Sequence, residues 1–171
     1  MKRHRHQLTF SFPLSSRAKP MEQKFEDLLD LDPSTFARPK PTPKGSYLVA
    51  VRGHPLIDEG TDGKTPFVEV TFALTEAGAD VDDDELDAFG GLENKTIRAR
   101  FWQTEKAMFM LADFLKACGI EGGRTGREQL AETPNCEVGL YVAHRPSQDG
   151  QRIEARPSRY FPASAFVRKG D

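Results

Sequence analysis

Residues 95–118 read KTIRARFWQTEKAMFMLADFLKAC, and the hydrophobic period changes halfway along them. Up to Trp102 the residues alternate: Ile97, Ala99 and Phe101 point one way, Thr96, Arg98, Arg100 and Trp102 the other. Side chains on a pleated strand alternate faces, so this is a half-buried strand. From Thr104 the apolar residues Ala107, Met108, Leu111, Ala112, Leu115 and Cys118 recur at helical spacing. Thr104 is the expected N-cap, and Gly119 the expected stop in a left-handed conformation. A strand therefore runs directly into the best helix of the chain.

Period-2 patterns lie on both sides of this unit. Tyr47–Arg52 is expected as a first strand, followed by a long loop from Gly53 to Pro66 rich in Gly, Asp and Pro. Phe67–Leu74 is a second strand, with Val68, Val70, Phe72 and Leu74 inward and Phe67, Glu69, Thr71 and Ala73 outward. Asp82–Phe89 reads as a short helix stopped by Gly90-Gly91. After the main helix and a Gly-rich loop, Cys136–His144 and Arg152–Arg156 form a strand pair around the turn Ser147-Gln148-Asp149-Gly150. The order is three strands, a helix, two strands. The expected fold is mainly β, an OB-fold-like five-stranded barrel with one helix between strands 3 and 4.

The 171 residues hold 24 Lys+Arg against 26 Asp+Glu, with 37% apolar residues. That is enough for one hydrophobic core without a metal or disulfide staple. No apolar run nears the ~18–20 residues of a membrane span, so no membrane partner is expected. Residues 1–20 carry five basic side chains and no acid, and contain no apolar stretch of a secretory signal. They are taken as a flexible basic arm, with a transit peptide and a start at Met21 as alternatives. Residues 21–45 combine a short amphipathic helix (Phe25, Leu28, Leu29, Leu31) with a linker of alternating prolines, Pro39, Pro41 and Pro43. The barrel domain is expected over 46–162 and a tail over 163–171.

Arg98, Arg100 and Trp102, spaced by two, share one strand face. Guanidiniums neutralise phosphates and an indole offers a stacking surface, the combination that single-stranded nucleic acid requires. Phe67 on the second strand extends this face, and His144 and Arg145 before the last turn are added to it; Glu69 on the same face counts against anion binding. The eight acids of residues 76–93 place Asp80, Asp82 and Asp84 at alternate positions, but an EF-hand needs Gly at its sixth position and Glu at its twelfth, where Glu85 and Gly91 stand. Catalytic signatures are missing: no GxSxG, P-loop, HExxH or GxGxxG occurs, and Gly122–Gly126 lacks the Lys-Ser/Thr of a phosphate loop. Cys118 and Cys136 have no CxxC spacing and are expected as free thiols. No enzyme activity, cofactor or metal site is expected.

The stretches KFEDLLDLDPSTFARPKPTPKGSY, TPFVEVTFAL, TEKAMFMLADFLKACGI and HRPSQDGQRIEAR, between Met21 and Phe161, carry a resemblance. The chain resembles a family of small phage and prophage proteins, of formally unknown function and often described as single-stranded DNA-binding. The resemblance implies an OB-like barrel and a role in phage DNA replication or recombination, in the cytoplasm of a bacterial host. The implied partner is single-stranded DNA, with a homo-oligomer or other phage proteins beside it. The first 20 residues fall outside the resemblance, and the end, Val167–Asp171, differs from the acidic tails with which single-stranded DNA-binding proteins recruit partners. The alternative is a structural or assembly protein whose barrel docks other proteins.

Overall fold

The structure is a computed structural model that describes residues 39–61 and 63–170; the basic arm over 1–20 and the helix expected within 21–38 lie outside the described residues. The strands are β1 (Gly45–Val51), β2 (Leu56–Asp58), β3 (Phe67–Ala77), β4 (Thr96–Trp102), β5 (Glu137–Pro146) and β6 (Ile153–Pro162). The helices are α1 (Asp83–Phe89), α2 (Met108–Ala117) and α3 (Gly126–Ala131).

β3 organises the sheet. One edge of it pairs with β4 along Phe67–Ala73; the other takes β2 at Phe67–Glu69 and β1 from Phe72 onward. β1 pairs in turn with β5, and β5 with β6. Every pairing is antiparallel, so β4 and β6 run the same way, but no ladder joins them. The mainly β expectation holds, and the expected five-stranded barrel is corrected to an open six-stranded sheet. Part of the reason is local. Pro157 and Pro162 give β6 two positions without an N–H, which suits an edge strand and not a central one.

The inner face is apolar along every long strand. Tyr47, Val49 and Val51 of β1, Val68, Val70, Phe72 and Leu74 of β3, Ile97, Ala99 and Phe101 of β4, and Val138, Leu140 and Val142 of β5 are all buried. Each such side chain contributes roughly 1.5–3 kcal/mol by leaving water, which explains why the alternation holds its face. α2 covers this core with Leu111, Phe114 and Leu115.

Three local expectations change. α2 begins at Met108 and not at Thr104: Thr104 opens the preceding turn, lending its carbonyl to the amides of Ala107 (2.9 Å) and Met108 (3.0 Å), and no side chain caps the helix. The shorter helix is rotated, leaving Met108 and Ala112 exposed and burying Phe114 completely. Its stop follows expectation, with Gly119 at φ 74° and the Ile120 amide reaching back to Leu115 at 3.0 Å. The Gly-rich loop holds α3, whose Thr125 and Glu128 cap one another reciprocally. The loop after β1 contains β2. The acidic run is a helix start: the Asp82 side chain accepts the Glu85 amide at 2.9 Å, and Asp83, Asp84 and Glu85 occupy the first turn, where acids suit the helix dipole.

Both ends of the described chain pack on the domain. Thr42 and Pro43, within the stretch read as linker, are buried. The Tyr47 hydroxyl donates to the Pro43 carbonyl at 2.9 Å, and His144 Nε2 bonds the Thr42 carbonyl at 2.8 Å. Beyond β6, Phe166 is buried and Arg168 bridges to Gly78. Arg168 also pairs with Glu76 at 3.2 Å, and Lys169 pairs with Asp83.

Two measurements check this packing. Tyr160 of β6 is half-buried among rings, and its buried hydroxyl finds no hydrogen-bond partner among the described residues. A buried unpaired hydroxyl costs about 1–3 kcal/mol, so Tyr160→Phe is expected to leave urea unfolding unchanged or to raise stability by about 1 kcal/mol. A loss of that size instead would assign the hydroxyl a partner. A chain starting at Lys44 should melt several degrees below one starting at Pro39, because it strands the Tyr47 hydroxyl. Equal melting points would show that the proline stretch contributes nothing.

Candidate functional site

The outer face of β3 and β4 is a ladder of cross-strand pairs: Ala73 with Thr96, Thr71 with Arg98, Glu69 with Arg100, and Phe67 with Trp102. Directly opposed residues share a face, and β4 alternates strictly between exposed and buried. Arg98, Arg100 and Trp102 therefore do project together, and Phe67 joins them. β2, within the stretch expected as a loop, adds Leu56 opposite Glu69 and Asp58 opposite Phe67. The signal available for β2 was only the apolar pair Leu56-Ile57 after Pro55.

At one end of the ladder the rings of Phe67 and Trp102 meet edge to face, centroids 5.4 Å apart. The Arg100 guanidinium lies over the Phe67 ring at 4.8 Å. Trp102 keeps 44% of its surface exposed, more than the mostly buried average for an indole. Glu69 binds both arginines, Arg100 Nε at 2.7 Å and Arg98 Nη1 at 3.5 Å. Its side chain is only 13% exposed, whereas those of Arg98 and Arg100 are 68% and 55% exposed. The carboxylate is thus the inner member, and the guanidiniums remain open to solvent on their outer sides. Such exposed pairs contribute about 0–1 kcal/mol each, so the cluster orients the arginines more than it stabilises the fold.

The remaining predicted site residues lie elsewhere. Val142, two residues before His144, pairs with Gly45 at the first end of β1. Thr71, the partner of Arg98, bonds Arg52 just past the other end. β1 has seven residues, so roughly 20 Å of strand separates the two levels. His144 is moreover engaged by the Thr42 carbonyl, and Arg145 stands opposite Glu154 on β6. Neither belongs to the β3–β4 ladder.

Burial, and then the neighbouring Cys136, push the Cys118 thiol up to about 12, which favours its protonated form at neutral pH. Among the described residues no three His, Cys, Asp or Glu side chains converge as metal ligands, and no helix is long and apolar enough to cross a membrane.

No model of a known protein family matches the chain, and no curated protein matches it in sequence. Among solved structures it is similar to yeast RPA bound to ssDNA, at 10% identity and a TM-score of 0.33, over 85% of this chain and 90% of that one. A likeness this loose fixes neither the fold nor the function of the present chain.

The two faces of β4 differ in what they support, and adjacent residues test this. Phe101→Ala should cost about 3–5 kcal/mol, as buried aromatic truncations do. Arg100→Ala, one residue away, should cost less than about 1 kcal/mol. Similar losses in urea unfolding would mean that the outer ladder is part of the core.

Proposed function

We propose that the chain is a non-enzymatic single-stranded DNA-binding protein of OB type that takes the strand along the outer β3–β4 face. The observation that carries this is the ladder itself. An exposed tryptophan braced edge-on by Phe67 offers a stacking platform for a base, and two outward guanidiniums beside it offer partners for phosphates. The OB reading is supported by connectivity: a three-strand meander β1–β3–β4, a helix between the third and fourth long strands, β5 on β1, and β6 running parallel to β4. In OB folds the second and third strands form the binding face, and β3 and β4 are those strands here. The phage replication or recombination setting and the bacterial cytoplasm belong to the same proposal and rest on the sequence resemblance alone.

A protein-docking module in an assembly is the second reading. It is favoured by Glu69, which already shares its one negative charge between both arginines, and by Leu56, exposed on the same face. A salt series with labelled oligo-dT separates the two. DNA binding must weaken with salt, with a log–log slope of about −0.7 per phosphate contacted. Trp102→Ala should weaken binding by about 1–3 kcal/mol per base lost and leave that slope unchanged. Arg98→Ala and Arg100→Ala should weaken binding and flatten the slope. No binding by the parent at low salt, or parental binding by all three variants, would move the assignment to docking.

A further inference from the structure

The β3–β4 ladder opens at its Thr96 end into a shallow groove of about 310 Å3. Ala50, Ala73 and Thr96 line it, with Arg52, Lys95, Asn94 and Asn135 around them. Ala50 and Ala73 face each other across β1 and β3, and Ala73 pairs with Thr96, so the floor continues the outer face that carries Arg98, Arg100 and Trp102. Two alanines side by side on an outer sheet face leave a depression where larger side chains would stand.

The rim has a composition unlike its surroundings. No carboxylate lines the groove, although the chain carries more acids than bases. Among the described residues Arg52 makes no ion pair; Lys95 makes none either and lies over the Phe89 ring at 4.8 Å. At the ladder two arginines share one carboxylate, which leaves one net positive charge there, and Arg52 and Lys95 add two at the groove, where Glu137 of β5 stands opposite Ala50. Backbone geometry concentrates here as well. Asn94 (φ 57°) and Asn135 (φ 65°) are the two non-glycine residues with positive φ among those described, and both line the groove. Asparagine tolerates that conformation better than most residues, and here two separate turns use it at the same rim. Main-chain bonds hold these turns in place: Asn135 N to Val51 O and Val51 N to Cys136 O, both 2.9 Å, and Lys95 N to Leu92 O and Leu74 N to Lys95 O, both 3.0 Å. A rigid rim loses little freedom on binding.

We propose that this groove is a nucleotide subsite at the end of the DNA track. Arg52 and Lys95 meet a phosphodiester, Asn94 and Asn135 offer carboxamides to a base edge, and Ala50 and Ala73 form the floor beneath it. The inference rests on the single-stranded DNA reading above and carries the track past Arg98 to the Thr96 end, a total of about 20 Å of strand from Trp102. It makes the bound length longer than the aromatic end alone would hold.

The test uses the full chain and a labelled oligo-dT of about 16 nucleotides, the upper end of what one OB domain covers. Arg52→Ala and Lys95→Ala are expected to weaken binding severalfold and to flatten the salt slope by about 0.7 each. Asn135→Asp, which keeps a side chain suited to positive φ and adds one negative charge to the rim, is expected to weaken binding without lowering the melting temperature. Lys116→Ala, on α2 and away from this face, is the control and should bind as the parent does. If Trp102→Ala weakens binding while Arg52→Ala, Lys95→Ala and Asn135→Asp bind as the parent does, the groove assignment is overturned and the DNA reading stands. Equal weakening by Lys116→Ala reduces the effect to bulk charge and also overturns the groove. A parent chain that does not bind at low salt overturns both.

Discussion

Four aromatic rings hold together what backbone hydrogen bonding leaves open. Phe72 of β3, Phe101 of β4, Phe114 of α2 and Tyr160 of β6 pack with centroids 5.5–6.0 Å apart. β4 and β6 face each other without a ladder, so this cluster, with α2 above it, is what keeps the two edges of the sheet together. Aromatic pairs contribute about 0.5–1.5 kcal/mol each beyond the area they bury, which makes such a cluster an adequate substitute for a few ladder bonds. It also explains how Tyr160 tolerates an unpaired hydroxyl: its ring bridges three elements.

The same packing sets the candidate site. Once Phe101 is committed to the inner cluster, Arg100 and Trp102 on either side of it must face outward, and Arg98 follows two residues earlier. Core and candidate site are thus two sides of one seven-residue strand. The cross-strand partner then tunes the face. Phe67 braces Trp102, and Glu69 spreads between the two guanidiniums, so the arginines are oriented but already share one negative charge.

Much of this was legible in the residues. The faces of β3 and β4, the helix stop at Gly119 and the acidic helix start at Asp82 all follow from rules that operate within a few residues. α3 was legible too and was passed over: Thr125 and Glu128 carry the capping-box spacing, hidden by the surrounding glycines. The start of α2 was misplaced because Thr104 has the right residue type for a cap, while the chain leaving β4 needs that residue in a turn. β2 is three residues long, too short for any period to declare itself.

By itself the sequence determined which side chains share a face, because the pleat has a period of two and burial of the apolar set makes any slip by one residue expensive. Only the tertiary structure decided which strands lie side by side. That choice put Glu69 between Arg98 and Arg100, set Phe67 against Trp102, and brought Asn94 and Asn135, 41 positions apart, to one rim. It also sent His144 to the Thr42 carbonyl, away from the ladder, and left β4 and β6 unjoined. The physical reason is one of range: alternation is enforced by each residue's own backbone, whereas pairing and closure are selected by contacts between segments distant in the chain, of which a local pattern holds no record.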